Sequence, residues 1–583
     1  MSLDLVSNNI EEIQSYSFYG LPLVKLNIKG NIIRRVSDTA FITLESTLSE
    51  IDLSENNLTS FPIISLANLK HLRTLKLAWN EIHSIENLEN SNLLSLEYLD
   101  LDSNNFEFIS EDCLKFSPSL QVLSFHFNFI SNIHHRAFYS LINLKSLDLS
   151  HNRIKVLHIN LFQNNKKIEF IDLSHNHLHH IHGLLCNMPS LSRVFLSHNN
   201  ILEVPIDSFF NSSKISIIHL DKNCIHTINS ESFSDLENLE ELQIDFNYLN
   251  QVSFNSITEL NISNNFLDYI PYSMLDNFTL IETLDIADNL IPKIEISGLE
   301  KLTKLKSLIL RKNEIQTISC SKKIILNELI QFDISFNRLD NLPEFIFDNF
   351  PNIQNINISH NNIMHFDFLL SYKKVGVSLI NIDLSKNPAV SWTSTRKVDN
   401  STLIDSLYEL HISLTNLTNI EDITFELFTN LQHLYLQFNK IRRLSISPFS
   451  KLVFLESLDL SFNRITHLKT SNFRGLIKLN SLCLSNNNIE SMESFDEDLS
   501  NLKLLDLSYN KLQNIINEHL INLKELTVLN LSFNNLKYLS ATAFNNLNKI
   551  IQIDLEHNKL QTIPLELLTS IETHIQDILI KGT

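Results

Sequence analysis

A chain of 583 residues that is 43% apolar, yet holds only 7 glycines and 2 tryptophans, is biased towards one repeated template rather than several unrelated globular domains. Its formal net charge of −20 repels nucleic acid and anionic lipid and favours a basic or neutral protein partner. No apolar run reaches the ~18 residues of a membrane-spanning helix, and the five cysteines are too scattered for a disulfide framework.

The chain opens directly on a strand, Leu3-Asp-Leu5, with neither a basic n-region nor a Cys-rich cap before it. From there the template L-x-x-L-x-L-x-x-N-x-L recurs to the end. It reads LKSLDLSHNRI from Leu144, LESLDLSFNRI from Leu455 and LTVLNLSFNNL from Leu526. There are 24 copies, most of them 23 to 25 residues apart. The L-x-L core predicts a short strand with both leucines inward and the x residues outward, pairing in parallel with the next repeat. The Asn just past the strand stands where the backbone loses its sheet partners, so its amide is expected to satisfy buried backbone groups. Asn80, Asn104, Asn128, Asn152, Asn176, Asn313, Asn337, Asn463 and Asn534 represent this ladder.

The other half of each repeat has its own register. Phe recurs ten residues after the ladder position, at Phe18, Phe41, Phe138, Phe162, Phe209, Phe233, Phe347, Phe425, Phe449, Phe473 and Phe544, which predicts a stacked aromatic spine. Pro recurs six residues after it, at Pro62, Pro205, Pro271, Pro343 and Pro564, which stops helix growth. The expected fold is an α/β-type solenoid, a leucine-rich-repeat horseshoe. It has a parallel sheet on the concave face and short extended or 3₁₀ segments on the convex face.

Two steps break the period. Asn247 to Asn265 takes only 18 residues, so the convex segment must shrink to a tight turn. Asn387 to Thr415 takes 28, across the polar stretch PAVSWTSTRKVDNSTLID. The expected organisation is repeats 1–17 over residues 1–387, an irregular insert over 388–405, and repeats 18–24 over 406–583. Residues 565–580 there form one amphipathic covering segment. The insert is either a bulged loop, or a partner-binding loop or a boundary between two solenoid halves. The absence of Cys-rich caps predicts that the chain is part of a longer protein, with a capless cytosolic protein as the alternative.

Catalytic motifs are missing. No two glycines lie within five residues, which excludes the phosphate-binding and nucleophile-elbow patterns, and no H-E-x-x-H or C-x-x-C occurs. No catalytic residue, cofactor or dedicated metal site is expected. Binding falls to the strand face, where the central x is often acidic: Asp100, Asp148, Asp172, Asp285, Asp333, Asp459 and Asp506 among others. Two readings stand, an acidic stripe for a basic partner or a hard cation, or a filler that keeps an exposed strand soluble. The residue before the ladder Asn is often aromatic, as at Phe438 and Phe462, either an interface anchor or one ring packed on the next. His151, His175 and His198 share that register in successive repeats and form either a metal- or pH-responsive patch or a solvated edge. Asn57, Asn211, Asn277, Asn400 and Asn416 are glycosylation candidates by sequon. Asn261, Asn357 and Asn530 are sequons at central strand positions, where a glycan would block the face.

The 24-residue period with its Phe spine resembles the "typical" leucine-rich repeats of animal extracellular proteins. Residues 32–62, IIRRVSDTAFITLESTLSEIDLSENNLTSFP, are most similar to the chaoptin-type adhesion proteins of arthropods. Toll-type receptor ectodomains share the general repeat. The resemblance implies a non-enzymatic, cell-surface adhesion scaffold with protein partners through homophilic contacts, held to the membrane by an anchor not present in this chain. An innate-immune receptor ectodomain and an intracellular leucine-rich-repeat scaffold are the alternatives.

Overall fold

The computed structural model describes residues 1–85, 93–111, 113–229, 231–250, 257–270, 272–275, 279–343, 345–366, 378–388, 406–422, 424–564, 566–567 and 575–582. The chain forms two compact units, Met1–Leu290 and Ile291–Thr583.

Each unit is a stack of three-residue parallel strands, one per repeat. In the first unit they run from Ser2–Asp4 to Thr283–Asp285, and in the second from Ser307–Ile309 to Asp577–Leu579. Register is uniform: Ser146, Leu147 and Asp148 pair with Phe170, Ile171 and Asp172, so like positions form columns. The middle residue of nearly every strand is buried, and its two neighbours are half-buried in most strands and partly exposed in the rest. Leu147 and Leu149 are both fully buried, which removes each from water for roughly 1.5–3 kcal/mol. No isolated strand of this length could hold; stacking supplies the core.

The far side of each repeat is made of short pieces. Two-residue strands pair in parallel there, such as Phe108–Ile109 with Asn132–Ile133. The α-helices, such as Ile63–Leu66 and Phe345–Asn349, are single turns. Pro62 sits at the N-cap of the first, where a missing N–H costs nothing. The Phe residues are buried and stacked, with centroid separations of 6.0 Å for Phe18–Phe41, 6.4 Å for Phe138–Phe162 and 5.8 Å for Phe425–Phe449.

The breaks in period leave the sheet intact. Leu242 pairs with Leu260 across the 18-residue step, and Ile382 with Leu410 across the long one. The polar insert falls almost wholly outside the described residues, which resume at 406. Near the C-terminus the structure differs from expectation: Asp577–Leu579 is a further strand, pairing with Gln552–Asp554. That segment carries no ladder Asn, which is why the template passes over it.

Candidate functional site

The strand exit is one turn repeated with fixed chemistry. Asn152 Nδ2 donates to the Leu149 and Ser150 carbonyls of its own repeat, both at 3.1 Å, and to Phe125 O of the preceding one at 2.9 Å. Its Oδ1 accepts the Ile130 N–H at 2.9 Å. Asn80, Asn104, Asn128, Asn176, Asn337, Asn463 and Asn534 hold the same set, each buried. Asn313 is buried too and bonds Leu310 O, while its Oδ1 accepts Ile291 N–H. Asn8, in the first repeat, is exposed and bonds only its own turn. Thr415 is too short to reach the carbonyls; its hydroxyl donates to Asn439 Oδ1 at 2.6 Å instead.

Every residue immediately before a ladder position has φ between 52° and 68°, the left-handed region, and only Gly30 among them is glycine. For other L-residues this costs roughly 1–2 kcal/mol. Within each unit the conformation turns these side chains outwards into a column beside the sheet. Phe438 and Phe462 lie there, each 45% exposed, with rings stacked at 4.2 Å. Their faces are spent on each other, leaving ring edges for solvent.

In the first unit His151, His175 and His198 take the same register, with successive centroids 3.9 Å apart and planes 12° and 17° from parallel. Phe127 stacks on the first at 4.3 Å. Burial and the neighbouring imidazoles, with Lys222, push His175 down to about 4, and burial lowers His151 and His198 as well. Parallel rings hold their nitrogen lone pairs side by side, whereas a metal needs them to converge at ~2.0–2.1 Å. Among the described residues no group of three or more His, Cys, Asp or Glu is placed to hold a metal ion.

The acidic column has a local structural cause that the strand pattern alone does not reveal. Asp148 Oδ1 accepts the N–H of Ser150, two residues on, at 2.9 Å. Asp100, Asp172, Asp285, Asp333, Asp459 and Asp506 make the same bond at 2.8–3.0 Å. Asn261, Asn357 and Asn530 substitute for Asp in it. The carboxylate closes an Asx turn as the strand ends, leaving Oδ2 for the surface. Burial raises the pKa of Asp100 and Asp172. In the outer column beside them, burial and like charges push Asp102 and Asp245 up to about 6.

In the first unit the Asp column is interrupted after Asp172 by Phe195, His219 and Gln243. Phe195 stacks on His219 at 4.5 Å and meets Phe170 edge-on at 5.2 Å; the Arg193 guanidinium lies 5.0 Å over Phe170. Glu241 accepts from Gln243 at 2.7 Å and holds His219 at 3.0 Å. The second unit has a smaller interruption, His411 stacked on Tyr435 at 4.4 Å with Glu409 3.1 Å from the imidazole. Both were missed in the sequence, where the only signal is that Asp is replaced.

Of the sequons, Asn211 is exposed, and Asn57 and Asn416 are half-buried; Asn277 and Asn400 lie outside the described residues. Asn57 donates to Glu81, and Asn211 to Asn187.

The leucine-rich-repeat family model matches residues 22–82, 46–106, 118–178, 189–249, 405–465, 454–497 and 524–572, well over half of the sequence. The chain belongs to the leucine-rich-repeat family. Similar proteins include the human leucine-rich repeats and immunoglobulin-like domains protein 1, 39% identical over 98 residues, 17% of this leucine-rich-repeat chain and 9% of that protein. Chaoptin of Drosophila melanogaster is 34% identical over 77 residues, 13% of this chain and 6% of its own length. The chain thus spans a small part of these relatives. Among solved structures, Toll in the Drosophila Toll–Spatzle complex superposes with TM-score 0.60 at 18% identity, covering 96% of this chain and 80% of Toll. That likeness is one of fold.

Proposed function

We propose that this leucine-rich-repeat protein is a non-enzymatic recognition and adhesion scaffold, displayed at the cell surface, that binds a protein partner on its sheet face. The observation that carries the reading is the division of labour within each repeat. Buried Asn, Leu and Phe are the same from turn to turn, while the outward columns vary and present rings and charges to solvent. The family fold, the chaoptin similarity and the protein ligand named with the Toll structure support it. No helix among the described residues is long and apolar enough to cross a membrane. Homophilic contact is the simplest adhesion mode, and sequons such as exposed Asn211 are the expected glycan sites.

The test is made on the protein in its own tissue. Intact cells are labelled with a membrane-impermeant biotin reagent, and the recovered protein is treated with N-glycosidase. The expected result is surface labelling and a mobility shift of several kilodaltons. Protein that is unlabelled on intact cells and unshifted would overturn cell-surface display in favour of an intracellular scaffold.

A further inference from the structure

The Asp column carries little discrimination, because its turn is repeated in both units with the same bond. A specific partner needs a place that differs, and the Phe195 interruption is the larger of the two described above. We infer that the sheet face around Phe170, Phe195 and His219 is a docking site for a protein segment that presents an apolar side chain flanked by arginine or lysine. This inference rests on the recognition reading of the sheet face.

The site has an apolar centre. Phe170 and Phe195 are half-buried, as is Ile217, which pairs with Arg193 on one side and Glu241 on the other. The rings are locked by each other and by His219, so little side-chain entropy remains to be lost on binding. Around this centre the charge is mainly negative: Asp148 and Asp172 on one flank, Glu241 beyond His219, and Asp221 and Asp245 along the outer column. Asp221 also accepts the Ser197 hydroxyl. The opposing cations are Arg193, held over the Phe170 ring, and Lys222, held 5.7 Å over Phe246. An apolar group seated on Phe195 would bring its neighbours within reach of these carboxylates. Cationic neighbours are attracted there and anionic ones repelled. At the second interruption His411 stacks on Tyr435 beside Glu409.

The probe is a fluorescein-labelled eight-residue peptide of alternating Arg and Leu, titrated against the full chain by anisotropy. Peptides of alternating Arg and Ser, and of alternating Glu and Leu, serve as comparisons. The Arg–Leu peptide is expected to bind at least tenfold tighter than either. Phe195→Ser should weaken it at least tenfold, Asp172→Asn about threefold, and His411→Ser less than twofold. Each variant is first shown to melt as wild type does. Equal binding of the Arg–Ser peptide would make the attraction purely electrostatic and overturn the site, as would unchanged binding by Phe195→Ser. No binding of the Arg–Leu peptide would also overturn it. If surface labelling and glycosylation are nevertheless found, the recognition reading survives and only this site is lost.

Discussion

Two columns of side chains run one residue apart through the same turn, and they obey opposite rules. The ladder column is Asn at almost every repeat and buried; the column just before it holds Ser, Gly, Glu, Trp, Phe, His, Lys, Asn, Asp, Leu and Tyr and is turned outwards. The ladder side chain must supply two donors and an acceptor to buried backbone groups, which leaves Asn almost alone as a fit. The neighbouring residue has only to tolerate a left-handed φ, and its side chain is free to vary. Invariance thus marks what holds the solenoid together, and variation marks where it can meet something else.

Breaking the first column should have the largest effect. Asn152→Ala orphans the Ile130 N–H inside the core and leaves the Phe125 carbonyl with Asn128 Nδ2 alone, and should cost ~1–3 kcal/mol in chemical denaturation. His151→Ala, one residue earlier, should cost under ~1 kcal/mol, because it loses half-buried ring stacking and orphans no buried backbone group. Equal losses for the two would erase the distinction. Restoring the ladder at its exception should give a smaller gain: Thr415→Asn is expected to stabilise by ~0.5–1.5 kcal/mol, measured the same way. A destabilised variant would show that the turn at Thr415 has a different shape from the others.

The smallest effect is a pH response that sets the outward columns against each other. His175 is held down to about 4 in the folded chain but titrates near 6.5 when unfolded, so its contribution is complete above about 6.5 and is lost as pH falls towards 4. Asp102 is raised to about 6, so the folded chain binds its proton first and gains stability as pH falls through 6. His175→Gln should therefore flatten the loss of melting temperature between pH 6.5 and 4. Asp102→Asn should raise the melting temperature at pH 7.5 and leave it unchanged near pH 3. Melting curves across that range check both, and parallel profiles for wild type and variants would refute the assignment.

What could be read from the sequence follows the same division. The strands, the Asn ladder and the Phe spine were legible because burial restricts their chemistry: Leu147, Asn152 and Phe162 each have few substitutes. The left-handed column was not, since Gly30 is its only glycine and Phe438 or His175 give no sign of positive φ. The Asp148 turn was half legible: the D-x-S spacing is plain, but the bond to the Ser150 N–H needs the backbone path. The stack of His151, His175 and His198 was legible as a register, though not the near-parallel ring planes. The Phe195 cluster stayed hidden because Phe170, Phe195 and His219 come from three repeats and meet only when register is fixed.

The central claim is that recognition occurs where the outward columns depart from the repeated Asp turn. One substitution tests it with a glycan. Phe195→Asn makes an Asn-Leu-Ser sequon with Leu196 and Ser197, and Asp459→Asn makes the same sequon with Leu460 and Ser461 in the Asp column of the second unit. The measurement is Arg–Leu peptide binding to each full-length variant produced in secreting cells, before and after N-glycosidase. Loss of binding for glycosylated Phe195→Asn, with Asp459→Asn binding as wild type does, is the predicted result. Binding that survives a glycan at position 195, or falls equally with one at 459, would contradict the account.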